Sequence, residues 1–268
     1  MLFRSIEVAA IHSIRGNTIK TGEFFKRPFR RPHHSASSVS LVGGGSNPKP
    51  GEISLSHYGV LFLDELPEFD RKVLEVLREP LESGTINISR INRNAQYPAK
   101  LQLIAAMNPC PCGYLGSLQK TCQCSVSQIQ RYQSKISGPL LDRIDLHITV
   151  PDLPNSFLIN DDNSPENLSS EIIQKRVVKS QELQINRQGC LNSLLPEKRL
   201  KTYCNINNNL KPLLEKAIKI FKLSARAYNR VIKISRTIAD INQESEITNI
   251  HINEALSYRG DIKTQHNQ

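Results

Sequence analysis

Hydrophobic positions change period several times along this chain, and the changes divide it. Over residues 1–20, Ile6, Val8, Ala9, Ile11 and Ile14 recur at helical spacing, and Gly16 ends the pattern. From Lys26 to Gly51 no period survives. The stretch is first basic, then rich in Gly, Ser and Pro (Pro28, Pro32, Pro48, Pro50 and Gly43-Gly44-Gly45), which predicts irregular or only briefly helical chain. Val60-Leu61-Phe62-Leu63 is a short unbroken apolar run, as in a parallel strand buried on both faces. A helix follows, capped by Asp70, with Val73, Leu74 and Leu77 on one face, Pro80 breaking or kinking it and Gly84 ending it. Thr85–Ser89 alternates, with Ile86 and Ile88 inward, and Arg90–Lys100 reads as a polar hairpin. Leu101–Met107 is a second near-continuous apolar run, and Leu146–Val150 is predicted as a third strand.

Strands alternating with helices indicate a parallel sheet covered on both faces, so residues 1–150 are read as an α/β domain. Residues 151–169, with excess Pro, Asn, Asp and Ser, are read as a linker. Beyond it the period is helical over Ile172–Ile185, Leu213–Phe221, Ala225–Ile241 and Ile250–Tyr258, with Ser224 as an N-cap; residues 170–260 are therefore a small helical bundle. The tail, 261–268, is polar and expected to be disordered.

Composition changes this picture only slightly. A formal net charge of +10 favours an anionic partner such as nucleic acid or nucleotide, although a Lys- and Asn-rich surface gives the same balance. No run approaches the ~18 apolar residues of a membrane span. The N-terminus meets Glu7 before any apolar core, unlike a signal peptide, so a cytoplasmic location with reduced cysteines is expected.

The chemistry begins at Asp64-Glu65, two carboxylates at the C-terminal end of the first apolar run, where open α/β sheets hold ligands. In P-loop ATPases such an Asp holds Mg²⁺ and a neighbouring acid orients the attacking water. An acid pair after an apolar strand is also a common surface feature. Asn108, after Leu103–Met107, is placed to hydrogen-bond a γ-phosphate or lytic water, or to start a turn before Pro109. Arg143, within Leu140-Leu141-Asp142-Arg143-Ile144-Asp145, could act as an arginine finger or pair with Asp142 or Asp145. Arg226 sits in a helical first turn, where a cation is unfavourable without an anion nearby. The phosphate-cradling motif G-x-x-x-x-G-K-[ST] is absent from these 268 residues, and Gly43-Gly44-Gly45 cannot replace it because Lys49 follows Pro48. Cys110-Pro111-Cys112 and Cys122-Gln123-Cys124 form two close pairs able to make a tetrahedral Zn²⁺ site that is structural and orders the loop after Asn108; free thiols and disulfides are the alternatives. His33-His34 and His57 lack acids or cysteines at matching spacing, and Lys26-Arg27 with Arg30-Arg31 could meet phosphates or simply solvent.

Together these segments resemble the magnesium-chelatase-like AAA+ ATPases, in the ComM/YifB branch linked to natural transformation and DNA branch migration. The residues carrying the resemblance run from about Ile6 to Arg259. They include Arg27-Pro28-Phe29-Arg30-Arg31-Pro32-His33-His34, Pro50-Gly51-Glu52-Ile53-Ser54-Leu55-Ser56-His57 and Gly59–Phe69. Further along come Tyr97-Pro98-Ala99, Ala105–Pro109, Ser137–Asp145, Ser224–Tyr228 and Glu254–Arg259. The resemblance implies a truncated AAA+ parallel-sheet module with a helix-2 insert around 43–57 and a pre-sensor-1 hairpin at Arg90–Lys100, followed by a small C-terminal helical bundle. It implies that Asp64 and Glu65 are the Walker B acids, Asn108 sensor 1, Arg143 the arginine finger and Arg226 sensor 2, with ATP and Mg²⁺ as ligands and a homo- or hetero-oligomeric ring as the assembly. Arg90, Arg93 and Lys100 become candidates for DNA contact.

In that family a Lon-type domain and the P-loop precede the position matching Met1. The expectation is thus a partial ATPase module of a DNA-translocating protein, inactive alone and needing a P-loop-bearing fragment. The alternatives are a chelatase-like subunit that remodels a protein partner, and a non-enzymatic zinc-containing nucleic-acid binder or split-gene remnant. With sheet elements missing, exposed apolar surface is expected.

Overall fold

In a computed structural model of the chain, residues 2–16, 21–90, 93–117, 119–151 and 169–259 are described. They form two compact units, Met1–Ile144 and Asp145–Gln268. The expected linker at 151–169 and tail at 261–268 lie almost wholly outside the described residues.

The first unit is mixed α/β. It begins with α1 (Leu2–Arg15), which buries Val8 and Ile11 and is tied down by a contact of 3.2 Å between His12 Nε2 and the Leu55 carbonyl. After β1 (Phe29–Arg30), the Gly/Ser/Pro stretch forms α2 (Ser38–Val42), capped by Ser37, then a two-residue ribbon of β2 (Gly43–Gly44) and β3 (Lys49–Pro50), then α3 (Glu52–Leu55). The brief helices expected there are present. Next come β4 (Val60–Leu63), α4 (Arg71–Glu75) and α5 (Arg78–Ser83). Asp70 caps α4 through its side chain, and Gly84 ends α5 in the left-handed region, as the sequence predicts. β5 (Thr85–Arg90) and β6 (Arg93–Pro98) form one antiparallel hairpin, longer than the Arg90–Lys100 segment because the Ile86/Ile88 strand is its first arm. Ile86, Ile88 and Tyr97 are buried, and the Tyr97 hydroxyl donates to the Pro48 carbonyl at 2.7 Å. β7 (Gln102–Ala105), α6 (Val126–Gln133) and α7 (Gly138–Leu141) complete the unit.

β1, β4 and β7 make a parallel sheet with β4 in the centre. Its core face is closed: Leu61 and Leu63 pack with Leu41, Ile53, Phe69, Leu74 and Leu77. The opposite face differs from the two-sided burial predicted for the apolar runs. Register puts Phe29, Phe62 and Ile104 on that face, and Phe29 and Ile104 are 62% and 41% exposed. The strand predicted at Leu146–Val150 is also not formed. Its backbone finds another partner, His147 N–H donating to the Tyr258 carbonyl at 2.8 Å, and Ile148 and Val150 are exposed.

The second unit is helical: α8 (Ser170–Gln188), α9 (Glu197–Tyr203), α10 (Lys211–Phe221), α11 (Ala225–Ile241) and α12 (Asn249–Ser257). Ser224 caps α11 as expected. The sequence gives no sign of α9, which is two turns long and buries Leu200 alone. A polar knot lies among the apolar residues of this unit. Asp240, 2% exposed, accepts from Arg187 at 2.6 and 2.9 Å, Arg236 at 3.0 Å and Asn192 at 2.8 Å. Among the described residues no helix is long and apolar enough to cross a membrane.

Candidate functional site

The parallel ladder brings distant stretches of chain to one edge. β4 and β7 are in register at Leu63 and Ala105, so Asp64-Glu65 and Ala106-Met107-Asn108 leave the sheet side by side at its C-terminal end. The ladder continues one step, Ala106 N–H to Leu63 O and Leu66 N–H to Ala106 O, both 2.9 Å. Glu65 adopts φ 51, ψ 47, a left-handed conformation that costs a non-glycine residue about 1 kcal/mol or more and is concentrated at functional sites. Asp64 Oδ1 accepts the Glu65 N–H at 3.0 Å, which leaves its second oxygen outward. Glu65 and Asn108 are exposed and Asp64 is half-buried.

β1 flanks β4 on the other side, so the residues after it reach the same edge. Arg31 Nη2 donates to Asp64 Oδ2 at 2.5 Å, with its guanidinium carbon 5.4 Å from the centre of the Phe62 ring. His34 Nδ1 lies 3.1 Å from Glu65 Oε2 and its ring sits 4.1 Å from that of His33. Each acid of the pair therefore has a basic partner from one loop. Sequence reasoning noted this basic run without linking it to the acids; the link is made by strand pairing, which spacing does not reveal. Arg30 is committed elsewhere, to both oxygens of Glu52 at 2.6 and 2.9 Å, and this pairing raises its pKa.

This donor set fits Mg²⁺ held mainly by substrate phosphates, to which a protein contributes one or two carboxylates. Asp64 Oδ2 is the oxygen available for it, and Arg31 now occupies that oxygen. Among the described residues no histidine joins a group of three metal-type ligands. His57 is buried: Nδ1 accepts the Lys100 N–H at 3.0 Å and Nε2 faces Glu7 at 3.1 Å.

The four clustered cysteines do converge. Sγ of Cys110, Cys112, Cys122 and Cys124 all lie within 4.8 Å of one another, with three of the separations at 3.4–3.6 Å, and all four thiols are free. A Zn²⁺ ion with Zn–S bonds of about 2.3 Å sets ligand sulfurs about 3.8 Å apart, so the cluster fits such an ion. A hydrogen bond from the Tyr114 backbone leads the effects that pull the Cys112 thiol down to about 6. At Cys122 the Cys124 backbone also pulls down, but desolvation and hydrogen bonds shared with Cys112 and Cys110 push the thiol up to about 12.

The remaining candidates are scattered. Arg143 is held by Glu82 at 2.5 Å and by the Pro139 carbonyl at 2.7 Å, rather than by either acid of the strand. Arg226 lies in the first turn of α11, in the second unit. Arg90 and Arg93 are paired across the hairpin beside its tip, where Arg93 donates to Asn47 Oδ1 at 2.7 Å. Lys100 lies beyond Pro98 at the base of the hairpin, roughly 20 Å along the strand from Arg93 at 3.3 Å per residue, so the three do not form one patch.

Comparison with known proteins accounts for this arrangement. Residues 3–158 match the family described as magnesium chelatase, subunit ChlI, and residues 167–259 match the C-terminal domain of the same subunit. Competence protein ComM of Haemophilus influenzae is 49% identical over 260 residues, covering 97% of this chain and 50% of the relative. YifB of Escherichia coli is 45% identical over 256 residues, with 95% and 50% covered. A more distant likeness, 23% over 222 residues, is to DNA replication licensing factor mcm6 of Schizosaccharomyces pombe, covering 77% of this chain and 23% of that protein. The chain spans about half the length of these relatives, ComM and YifB. With both domains of the subunit matched in order, and with the acid pair on the central strand of a parallel sheet, this chain belongs to the magnesium chelatase subunit ChlI family.

Proposed function

We propose that this chain carries the acid-and-sensor half of an AAA+ ATP-hydrolysing module that moves DNA, and that the phosphate-cradling G-x-x-x-x-G-K-[ST] loop it works with lies outside these 268 residues. The observation that carries the reading is the meeting of Asp64, Glu65 and Asn108 at the C-terminal edge of neighbouring parallel strands. Two further features support it. β7 is an edge strand among the described residues, and the face bearing Phe29, Phe62 and Ile104 is partly uncovered, so the sheet can take another strand and its helix. The likeness to a DNA replication licensing factor, together with the net charge of +10, favours DNA as the track.

In this mechanism Asp64 Oδ2, freed from Arg31, would hold the nucleotide-bound cation, Glu65 would align the attacking water, and the Asn108 amide would hold the γ-phosphate end. Mg²⁺, when bound, neutralises charge developing on the phosphates. Arg31 and His34 restrain the acids until nucleotide arrives. Arg143 serves the ATP of a neighbouring subunit in a ring, Arg226 reads the nucleotide from the helical unit, and Arg90 and Arg93 meet DNA at the hairpin tip. The four cysteines hold a structural Zn²⁺. A chelatase-type motor acting on a protein partner is the second reading, favoured by the description of the matched family.

The test is ATP turnover by this chain alone and together with a segment bearing the G-x-x-x-x-G-K-[ST] loop. The chain alone should hydrolyse no ATP above background, the combination should turn over, and Glu65→Gln should lower kcat at least ~10²-fold. Turnover of an ordinary AAA+ magnitude by the chain alone overturns the reading.

A further inference from the structure

The cysteine loop does more than follow Asn108; it folds back onto it. The sheet ladder ends at Ala106, whose N–H donates to Leu63 and whose carbonyl accepts from Leu66. Met107 still packs on the core, and Pro109 has no N–H to give. From there the partners of the sensor segment come from the cysteine loop and from α6, the helix that begins directly after Cys124-Ser125. A side-chain carbon at Gly113, between the two cysteine pairs, would stand 3.8 Å from Cγ and 3.9 Å from Nδ2 of Asn108, so the loop backbone passes beside the Asn108 amide with room for a carbon between them. Gln133 Nε2 donates to the Pro109 carbonyl at 3.0 Å. The start of α6 is fixed by a capping box, Ser125 accepting from Gln128 N–H and the Gln128 side chain accepting from Ser125 N–H, one residue after the last cysteine. Cys110 itself, two residues past Asn108, is fully buried.

From this geometry we propose that a Zn²⁺ ion held by Cys110, Cys112, Cys122 and Cys124 sets the position of Asn108, so that the metal loop is the positioning device for the sensor amide. The inference rests on the zinc reading given above. Four thiols alone are a poor closure for a loop running from residue 110 to 124, because they share weak hydrogen bonds and carry mutually unfavourable charge when ionised. A divalent ion replaces those protons and makes loop closure part of the folding free energy. Closing the loop seats Gly113 beside the amide and brings α6 up to the Asn108–Pro109 backbone. Opening it removes both supports at once. Asn108 is then left on a short tether past the end of the ladder, where its amide cannot be held in register with Glu65. Gln133 acts through the Asn108–Pro109 backbone and is a positioning residue.

The test uses the full chain purified without oxygen, with zinc as the probe and amide hydrogen exchange over residues 106–110 as the readout. One zinc per chain is expected. Its removal by a chelator should speed exchange over 106–110 about tenfold while the Thr85–Pro98 hairpin keeps its protection. A chain that holds no zinc overturns the zinc reading and this inference with it. A chain that holds one zinc but exchanges identically over 106–110 after its removal overturns the inference alone. Should the chelated chain lose protection everywhere, Gln133→Leu decides. That variant should keep its zinc and loosen 106–110 only; unchanged exchange there overturns the proposal.

Discussion

At the residue scale the acids at the sheet edge are legible and their partners are not. An unbroken apolar run ending in Asp-Glu is enough to nominate Asp64 and Glu65. Arg31 and His34 stand about thirty residues earlier, and only the pairing of β1 with β4 carries them to the same edge. The left-handed turn at Glu65 was likewise invisible, since nothing in the sequence marks a glutamate for φ 51. His57 shows the same limit from the other side. It was a weak candidate ligand by residue type, and it proves to be a buried strut between α1 and the Lys100 backbone. Burial lowers its pKa, outweighing the opposing pull of Glu7, while Lys100 adds slightly to the lowering. The fold therefore prefers the neutral ring. Its contribution is present above the unfolded value of ~6.5 and is lost as the pH falls through the lower folded value. Urea unfolding of the full chain between pH 8 and pH 5 should show the first unit weakening as the pH drops below about 6.5, and His57→Gln should flatten the decline. An equal slope in the variant would rule out His57 as its source.

At the element scale, patterns that need only neighbouring residues to act are realised. Asp70 caps α4, Gly84 stops α5, Ser224 caps α11 and the apolar stripe of α1 ends at Gly16. Elements that depend on a distant partner are where the reading departs from the structure. Leu146–Val150 has the composition of a strand but gives its backbone hydrogen bond to Tyr258, and α9 escapes notice because one buried leucine makes no period. The entry to β4 also depends on a contact the sequence does not announce. A Cβ on Gly59 would overlap the Pro28 carbonyl, the same group that accepts the Val60 N–H and opens the β1–β4 ladder. Gly59→Ala should therefore cost more than about 2 kcal/mol and release Arg31 from Asp64. Thermal unfolding measures the first effect, and a cost under about 0.5 kcal/mol would mean that β1 yields freely.

At the scale of the whole molecule the chain is two units, Met1–Ile144 and Asp145–Gln268, and each has its own core. The net charge of +10 belongs to this scale, because long-range attraction to a polyanion depends on total charge more than on any single arginine. Duplex DNA should bind more weakly as salt rises from 50 to 200 mM, with a linear log–log dependence. Arg93→Gln should lower that slope by about one if the hairpin tip meets phosphate. Fluorescence anisotropy on the full chain provides the measurement, and an unchanged slope removes Arg93 from the interface.

By itself the sequence determined the family and nominated the acid pair, Asn108 and the four cysteines. All of these are written in local runs or in fixed spacings. Tertiary structure alone decided what each of them meets: Arg31 on Asp64, His34 on Glu65, Glu82 on Arg143, Gly113 beside Asn108. The physical reason is that parallel strand pairing and loop closure bring together residues whose separation along the chain carries no information about their separation in space.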